Sequence, residues 1–193
     1  MGRVCRIVLV CEGWEDSRFA RAFLNAGDRK GINIQRQENP GGSGHDWVKN
    51  QFVQQVATLR LATEGCGVLG LLDEDGRGAT AREQEVNSLL RQRGLPELQA
   101  GAGRCLLLPT RNLETWIYWL RAQERGMRVE MNETTDYKRA GPPEGLPRMG
   151  GDDCRLAGEY LDRLNHVHLP EGCPLILGKA LGHLRAFLDA VRR

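Results

Sequence analysis

The chain has 193 residues, a net charge of +2, and six scattered cysteines without a C-x-x-C pair. This length suits one ordinary domain with a sizeable core, and the balanced charge neither requires nor excludes a nucleic-acid partner. The cysteine pattern argues against a disulfide framework or a zinc site. Because the sequence shows neither a secretory signal nor an apolar run long enough to span a bilayer, we expect a soluble, cytoplasmic protein with no membrane partner.

Short apolar runs alternate along the chain with segments whose apolar residues recur at helical spacing. A short apolar run bounded by turn residues is typical of a buried parallel strand, and a stripe such as Phe19, Phe23 and Leu24 is typical of a packed helix. In chain order the patterns predict strand 4–11, helix 16–26, strand 32–36, helix 46–61 with Asp46 as its N-cap, strand 68–72, helix 80–93, strand 105–108 and helix 112–123. This order predicts an α/β fold with a mainly parallel, Rossmann-like sheet flanked by helices.

The last third of the chain has a different composition. Residues 125–152 are rich in glycine, proline and charge, which predicts a long loop or a poorly ordered excursion. Helices are predicted at 153–164 and 179–192. We therefore divide the chain into an α/β domain at 1–124 and, at 125–193, a loop-rich linker with a helical C-terminal addition packed on the same domain.

Acidic residues follow two of the predicted strands. Glu12 comes directly after the first strand, and Asp73 and Asp75 come after the third, in the stretch GVLGLLDEDGRG. The functional groups of open α/β sheets lie beyond the carboxyl ends of the strands, so these carboxylates converge if the two strands are neighbours. Asp16, one helical turn after Glu12, could join them. The alternatives are an ordinary Asp-x-Asp-Gly turn and an ordinary acid near a helix N-terminus.

These motifs resemble those of the Toprim domain family over about residues 3–120. VLVCEGWEDSRF is similar to the first Toprim motif, GLLDEDGRG is similar to the family's Asp-x-Asp motif, and Gly41-Gly42 falls where the family often has glycine. Toprim domains occur in topoisomerases, primases, repair proteins, RNA maturases and the nuclease half of OLD-family proteins. The resemblance implies that Glu12, Asp73 and Asp75 are catalytic and bind Mg²⁺ or Mn²⁺.

The resemblance is greatest to the OLD-type nucleases, because Glu12 and Asp16 form a Glu-x-x-x-Asp pattern. It implies that Glu114, in the sequence RNLETW, helps to hold a second metal ion, and that Lys179 stabilises the transition state. It also implies a nucleic-acid substrate, with DNA favoured over RNA, a role in phage or plasmid defence, and a separately encoded ATPase as a partner. The oligomeric state is not implied.

The chemistry of phosphodiester hydrolysis fits this set of acids. The reaction needs an activated water, an anchored phosphate and a neutralised leaving oxygen, and two cations held by carboxylates supply all three. In our assignment Asp73 and Glu12 hold one ion, and Asp75 holds the other with Asp16 or Glu114. Lys179 or Arg111 would offset charge in the transition state. Basic residues that could contact phosphates are Arg77, Arg82, Arg111, Lys138, Arg139 and Arg148.

Two other functions remain open. In a haloacid-dehalogenase-like phosphatase, Asp73 would be the nucleophile, Asp75 the acid, and residues 151–153 the later acidic motif, although that family places Asp-x-Asp on its first strand. This alternative leaves Glu12 unexplained. A non-catalytic Toprim module for nucleic-acid binding or interaction is the other alternative.

Several residues have ordinary structural explanations. Trp116 and Trp119 are expected in the core or at a helix contact. His166, His168 and His183 are expected at the surface or an interface. The glycine-rich stretch 41–44, which precedes a predicted helix, could cradle a phosphate but lacks the P-loop pattern.

Overall fold

The computed structural model describes residues 5–26, 31–41, 44–59, 65–164 and 169–192. Its strands are β1 (Cys5–Cys11), β2 (Ile32–Gln37), β3 (Cys66–Leu71) and β4 (Arg104–Leu107). Its helices are α1 (Trp14–Asn25), α2 (Gly44–Leu59), α3 (Ala79–Gln92), α4 (Leu113–Glu124), α5 (Tyr137–Ala140), α6 (Asp153–Leu164) and α7 (Leu175–Arg192). The predicted α/β fold with a parallel sheet is confirmed.

The four strands form one sheet in the order β2-β1-β3-β4, and every neighbouring pair is parallel. Strands β1 and β3 are therefore neighbours, which is the condition for their acidic residues to converge. In the register of this pair, Cys11 lies opposite Leu71. The first residues beyond both strands consequently lie at the same edge of the sheet.

Helices cover both faces of the sheet, because the strand residues are apolar on both sides. Ile7, Leu9 and Leu71 face a core shared with α1, α4, α6 and α7. Val8 and Val10 face a second core shared with α2 and α3. Burial on both faces is typical of parallel sheets.

The C-terminal helices pack on the face that also carries α1 and α4. Helix α6 lies along α1 and α4, and α7 contacts β1, β3 and β4. The contact between α6 and α1 is close at Gly158, where an added Cβ would lie 2.3 Å from the carbonyl oxygen of Phe19. The C-terminal part thus completes the core that positions α1.

Residues 125–152 are mostly loop, but the sequence pattern missed the short helix α5 within them. Tyr137 and Leu146 are buried and pack against Tyr118 of α4. The side chain of Asp136 caps α5 and also accepts a hydrogen bond of 2.7 Å from Asn112 Nδ2. These contacts fasten α5 to the start of α4.

Most predicted boundaries differ from the observed ones by one to four residues. The assignment of Asp46 as an N-cap is wrong, because α2 begins at Gly44; Asp46 lies in the first turn and pairs with Lys49. Residues 4 and 60–61, which were predicted at the ends of a strand and a helix, lie outside the described residues. No helix in the described ranges is long and apolar enough to cross a membrane.

Candidate metal centre

The carboxyl edge of the sheet brings Glu12 and Asp73 together from neighbouring strands. Glu12 continues the alternation of Val8 and Val10 and so points towards the α2 side of the sheet. Asp73 continues the alternation of Leu71 and points towards the side covered by α1 and α4. The two side chains therefore approach one site from opposite faces of the sheet.

Five carboxylates and one lysine line a single cavity of about 480 Å³ at this edge, which we call the carboxylate cavity. Helix α1 contributes Asp16, and the first turn of α4 contributes Glu114. The carboxylate cavity is lined by Glu12, Gly13, Trp14, Glu15, Asp16, Gly44, Asp73, Leu113, Glu114, Ile117, Lys138 and Met149. Four of the five predicted metal ligands thus lie together.

Burial and mutual repulsion raise the pKa values of the carboxyl groups in this cavity. Burial, followed by the charges of Asp16 and Glu12, raises the pKa of Asp73 to about 9. Burial, followed by the charges of Asp16 and Asp75, raises the pKa of Glu12 to about 7. The pKa values of Asp16 and Glu114 are also raised, mainly by burial. Such a cluster is stabilised by a proton or by a bound cation.

Asp16 also acts as an acid at a helix N-terminus, the structural role that we considered as its alternative. Its Oδ2 accepts a hydrogen bond of 2.9 Å from the backbone N–H of Gly13 at the start of α1. This bond fixes the orientation of the carboxylate and its direction towards the cavity. Asp16 therefore both caps the helix and faces the other acids.

Lys138 of α5 is the basic side chain in the carboxylate cavity. Burial disfavours its charged form, but the carboxylates of Glu114 and Asp73 outweigh burial and raise the pKa of Lys138. Its position depends on the hydrogen bond between Asn112 and Asp136, which joins α5 to α4. The sequence indicated Lys138 only as one of several basic residues.

The structure does not bring Lys179 to the carboxylates, so its predicted place in the catalytic site is not supported. Lys179 lines a separate cavity of about 300 Å³ between α3, β4 and α7, and none of the carboxylates of the carboxylate cavity lines it. The helix that carries Lys179 runs along β4, at one end of the sheet. The prediction for Lys179 rested on the local sequence around it, which does not specify where α7 packs on the sheet.

Asp75 lies beside the carboxylate cavity and not in its lining. Its backbone has a φ of 54°, which turns the chain away from the extended path that would have pointed Asp75 and Asp73 the same way. His45 Nε2 lies 2.7 Å from Asp75 Oδ2 and 3.3 Å from Glu12 Oε1. Neither contact has hydrogen-bond geometry. Asp75 therefore lies beside Glu12 and His45. This corrects the prediction that Asp75 shares a metal ion with Asp16 or Glu114.

Glu74 is a buried acid that the sequence analysis overlooked. Its Oε1 accepts hydrogen bonds of 3.1 Å from Gly76 N and 3.2 Å from Arg111 N. These bonds tie the loop after β3 to the loop after β4, where Arg111 has a φ of 60°. Glu74 thus supports the backbone that carries Asp73 and Asp75.

None of the arginines predicted to contact phosphates lines the carboxylate cavity. Arg77 and Arg111 lie on the loops after β3 and β4, but neither lines the carboxylate cavity, and Arg77 pairs with Glu85 at 3.2 Å. Arg82 is buried and also pairs with Glu85, so its predicted contact with a phosphate is wrong. Arg139 and Arg148 are exposed.

The donor set fits a hard divalent cation such as Mg²⁺ or Mn²⁺. Asp73 Oδ1 and Glu12 Oε1 are buried and accept no hydrogen bond from any described residue, which is costly unless a cation or proton is present. An added Cβ at Gly44 would lie 2.6 Å from Glu12 Oε2, so glycine leaves room for this carboxylate. Within the described ranges, no group of three or more His, Cys, Asp or Glu side chains is arranged closely enough to hold a metal ion as it stands.

The tryptophans and the described histidine for which we expected ordinary structural roles lie where those roles require. Trp116 and Trp119 are fully buried in the core, and His183 is exposed. His166, His168 and glycine 42 lie outside the described residues. Asp152 pairs with Arg18, and Asp153 pairs with Arg121. Neither aspartate lines the carboxylate cavity, so neither serves as the later acidic group of a phosphatase there.

Comparison with known proteins gave no match to a family model, to a curated protein or to a solved structure. The Toprim resemblance therefore remains a prediction from the motifs.

Proposed function

We propose that the chain is a divalent-metal-dependent phosphodiesterase of the Toprim type that cleaves nucleic acid. The observation that carries this proposal is the carboxylate cavity, where Glu12, Asp16, Asp73 and Glu114 meet at the carboxyl edge of a parallel sheet with Lys138 among them. The cavity holds five acidic side chains and one basic side chain, so the acids are not paired one to one as in a structural ion-pair network. This excess of negative charge is instead typical of a cation site.

The side chains divide into two adjoining groups of metal ligands. Asp73 and Glu114 would hold one ion, with Asp16 nearby. Asp75 and His45 form the second group. Glu12 lines the cavity of the first group and also lies 3.3 Å from His45. Glu12 would therefore be shared by both ions. Divalent ions bound here would supply an activated water and would neutralise charge on the phosphate and the leaving oxygen.

Lys138 would contact the scissile phosphate. Its ammonium group remains charged, because the surrounding carboxylates raise its pKa. When the phosphate enters, Lys138 would donate to a non-bridging oxygen and stabilise the charge that develops there. This is the role that the family resemblance had implied for Lys179.

The test is cleavage of plasmid, linear duplex, single-stranded DNA and structured RNA by the purified chain, with Mg²⁺, with Mn²⁺, or with EDTA. We expect metal-dependent cutting by the wild type and its loss in Asp73→Asn and Glu12→Gln, because each variant removes a charged metal ligand. Glu97→Gln is the matched control, since Glu97 is an acid that pairs with Arg91 away from the cavity.

Two outcomes would contradict the proposal. The first is wild-type cutting that persists in EDTA or in Asp73→Asn. The second is an absence of cutting on every substrate although the protein is folded. Hydrolysis of phosphomonoesters, lost in Asp73→Asn but retained in Glu12→Gln, would favour the phosphatase alternative.

A further inference from the structure

Trp14 is an exposed aromatic side chain at the rim of the carboxylate cavity. It is the first residue of α1 and follows directly after Glu12 and Gly13. The residue is 58% exposed, unlike Trp116 and Trp119 in the core. Single exposed apolar side chains are common on protein surfaces. Trp14 differs from them because it lies at the rim of a cavity lined by acids.

Trp14 also lines a second cavity, of about 310 Å³, on the outer side of α1 and α6. The two cavities therefore meet at this side chain. We call the second one the arginine cavity, because its charged lining residues are three arginines and one glutamate. It is lined by Trp14, Arg18, Arg21, Ala22, Asn25, Ala26, Arg155 and Glu159.

A fourth arginine holds the indole in place. The guanidinium carbon of Arg36, on β2, lies 5.2 Å from the centroid of the Trp14 ring. This is the geometry of a cation–π contact, which orders the ring without covering most of it. The indole is thus positioned and still accessible.

The arginines of the arginine cavity are available to an anion. Arg18 pairs with Asp152 at 3.2 Å, and Arg155 pairs with Glu159 at 2.7 Å, but both pairs are solvent-exposed. Exposed pairs contribute little to stability, so a phosphate can replace the carboxylate partner at small cost. Arg21 is also exposed. The charge of the cavity therefore suits a polyanion.

We propose that Trp14 and the arginine cavity form a subsite for single-stranded nucleic acid, next to the cleavage site. A base stacks on Trp14, and the following phosphates contact Arg18, Arg21 and Arg155. This inference rests on the proposed function and adds its substrate class, a strand with unpaired nucleotides.

The choice of a single strand follows from the geometry of stacking. A base within a duplex is covered on both faces by its neighbours, whereas an unpaired base has a free face for the indole. Stacking on an aromatic ring together with a positively charged groove is the general means by which proteins bind single strands without sequence preference. A protein partner would also cover Trp14, but it would not account for the continuity with a phosphodiester-cleaving cavity.

The test is fluorescence anisotropy with labelled oligothymidylate, the matching oligouridylate and a duplex of equal length. EDTA is present throughout, so that binding is measured without cleavage. Trp14→Ala should weaken binding of the single strands by about fivefold to a hundredfold, the range expected for loss of one stacked base. Trp14→Phe should retain most of the affinity, and Arg21→Ala should lower both the affinity and its salt dependence.

Two variants serve as controls. Leu175→Ala removes another exposed apolar side chain, and Lys179→Ala removes a cation that lines a different cavity. Both should bind the single strands as the wild type does. The comparison of oligothymidylate with oligouridylate distinguishes DNA from RNA as the substrate.

Unchanged binding in Trp14→Ala, or duplex binding as tight as single-strand binding, would overturn the inference. The proposed function would survive that result if the wild type still cuts in a metal-dependent way. If binding depends on Trp14 but no substrate is cut, the proposed function fails and the binding subsite stands. The two failures are therefore distinguishable.

Discussion

The carboxylate cavity contains one described lysine, Lys138, and its position depends on a segment that the sequence pattern identified only as loop. Asn112, just before α4, donates a hydrogen bond to Asp136, the residue that caps α5. This contact places Lys138 beside Glu114 and Asp73. Two polar residues remote from each other in sequence therefore decide which lysine faces the acids.

Replacing Lys138 should affect catalysis where replacing Lys179 does not. We expect Lys138→Ala to lower kcat for nucleic-acid cleavage by about 10²-fold, as the loss of a group that stabilises the transition-state charge typically does. Lys179→Ala should leave kcat unchanged, because that side chain lines another cavity. The measurement is single-turnover cleavage by both variants, and equal loss in the two would contradict the assignment.

Individual site residues differed in how well the sequence predicted them. Glu12 and Asp73 could be found because each follows an apolar strand, and strand ends in parallel sheets meet at one edge. His45, Glu74 and Lys138 could not be found in this way. Hydrogen bonds between residues distant in sequence hold Glu74 and the segment that carries Lys138, and no local pattern records those bonds. His45 lies in the first turn of α2, which faces the site only because of how the helix packs on the sheet.

Helix α1 carries residues of both proposed sites. Asp16 lines the carboxylate cavity, and Trp14 lines both the carboxylate cavity and the arginine cavity. The position of α1 depends on α6, which lies against it at Gly158. The sequence predicted both helices from their apolar stripes. It could not predict that they pack together, since this contact joins segments more than a hundred residues apart in the chain.

A methyl group at Gly158 should separate α1 from α6. Gly158→Ala places a Cβ 2.3 Å from a backbone oxygen that cannot move independently, so we expect a loss of about 1–3 kcal/mol in the free energy of unfolding. The matched control is Gly182→Ala on α7, where an added Cβ meets nothing within 4 Å. That variant should gain about 0.5–1 kcal/mol, because alanine favours helix more than glycine does. Urea denaturation measures both values, and stabilisation by Gly158→Ala would contradict the packing described.

The molecule as a whole concentrates acidic side chains at one edge of its sheet, although its net charge is only +2. The parallel topology explains why the acids gather there, because all four strands end at that edge. The alternation of strands and helices in the sequence predicted this topology. The α/β class was thus predictable from the sequence. The path of residues 125–152, which covers part of the edge, was not.

This buried charge should make the stability of the metal-free protein depend on pH. The folded state raises the pKa of Asp73 to about 9 and that of Glu12 to about 7, so both groups bind protons more tightly when folded. Their contribution to stability is therefore present at acidic pH and is lost as the pH rises towards these values. In EDTA, we expect the Tm to fall between about pH 5 and about pH 9, and to fall less in Asp73→Asn. A Tm of the wild type that rises over this range as these two carboxyl groups ionise would contradict the burial of the acids.

Calorimetric titration of Mn²⁺ into the metal-free protein at mildly alkaline pH tests the metal centre most directly. The account predicts saturable binding by the wild type and by the Glu97→Gln control. Binding should be lost or greatly weakened in Asp73→Asn, because that variant removes the carboxylate whose Oδ1 lies buried without a hydrogen bond from the described residues. Equal binding by the wild type and Asp73→Asn, or no binding by the folded wild type, would contradict a metal centre in the carboxylate cavity.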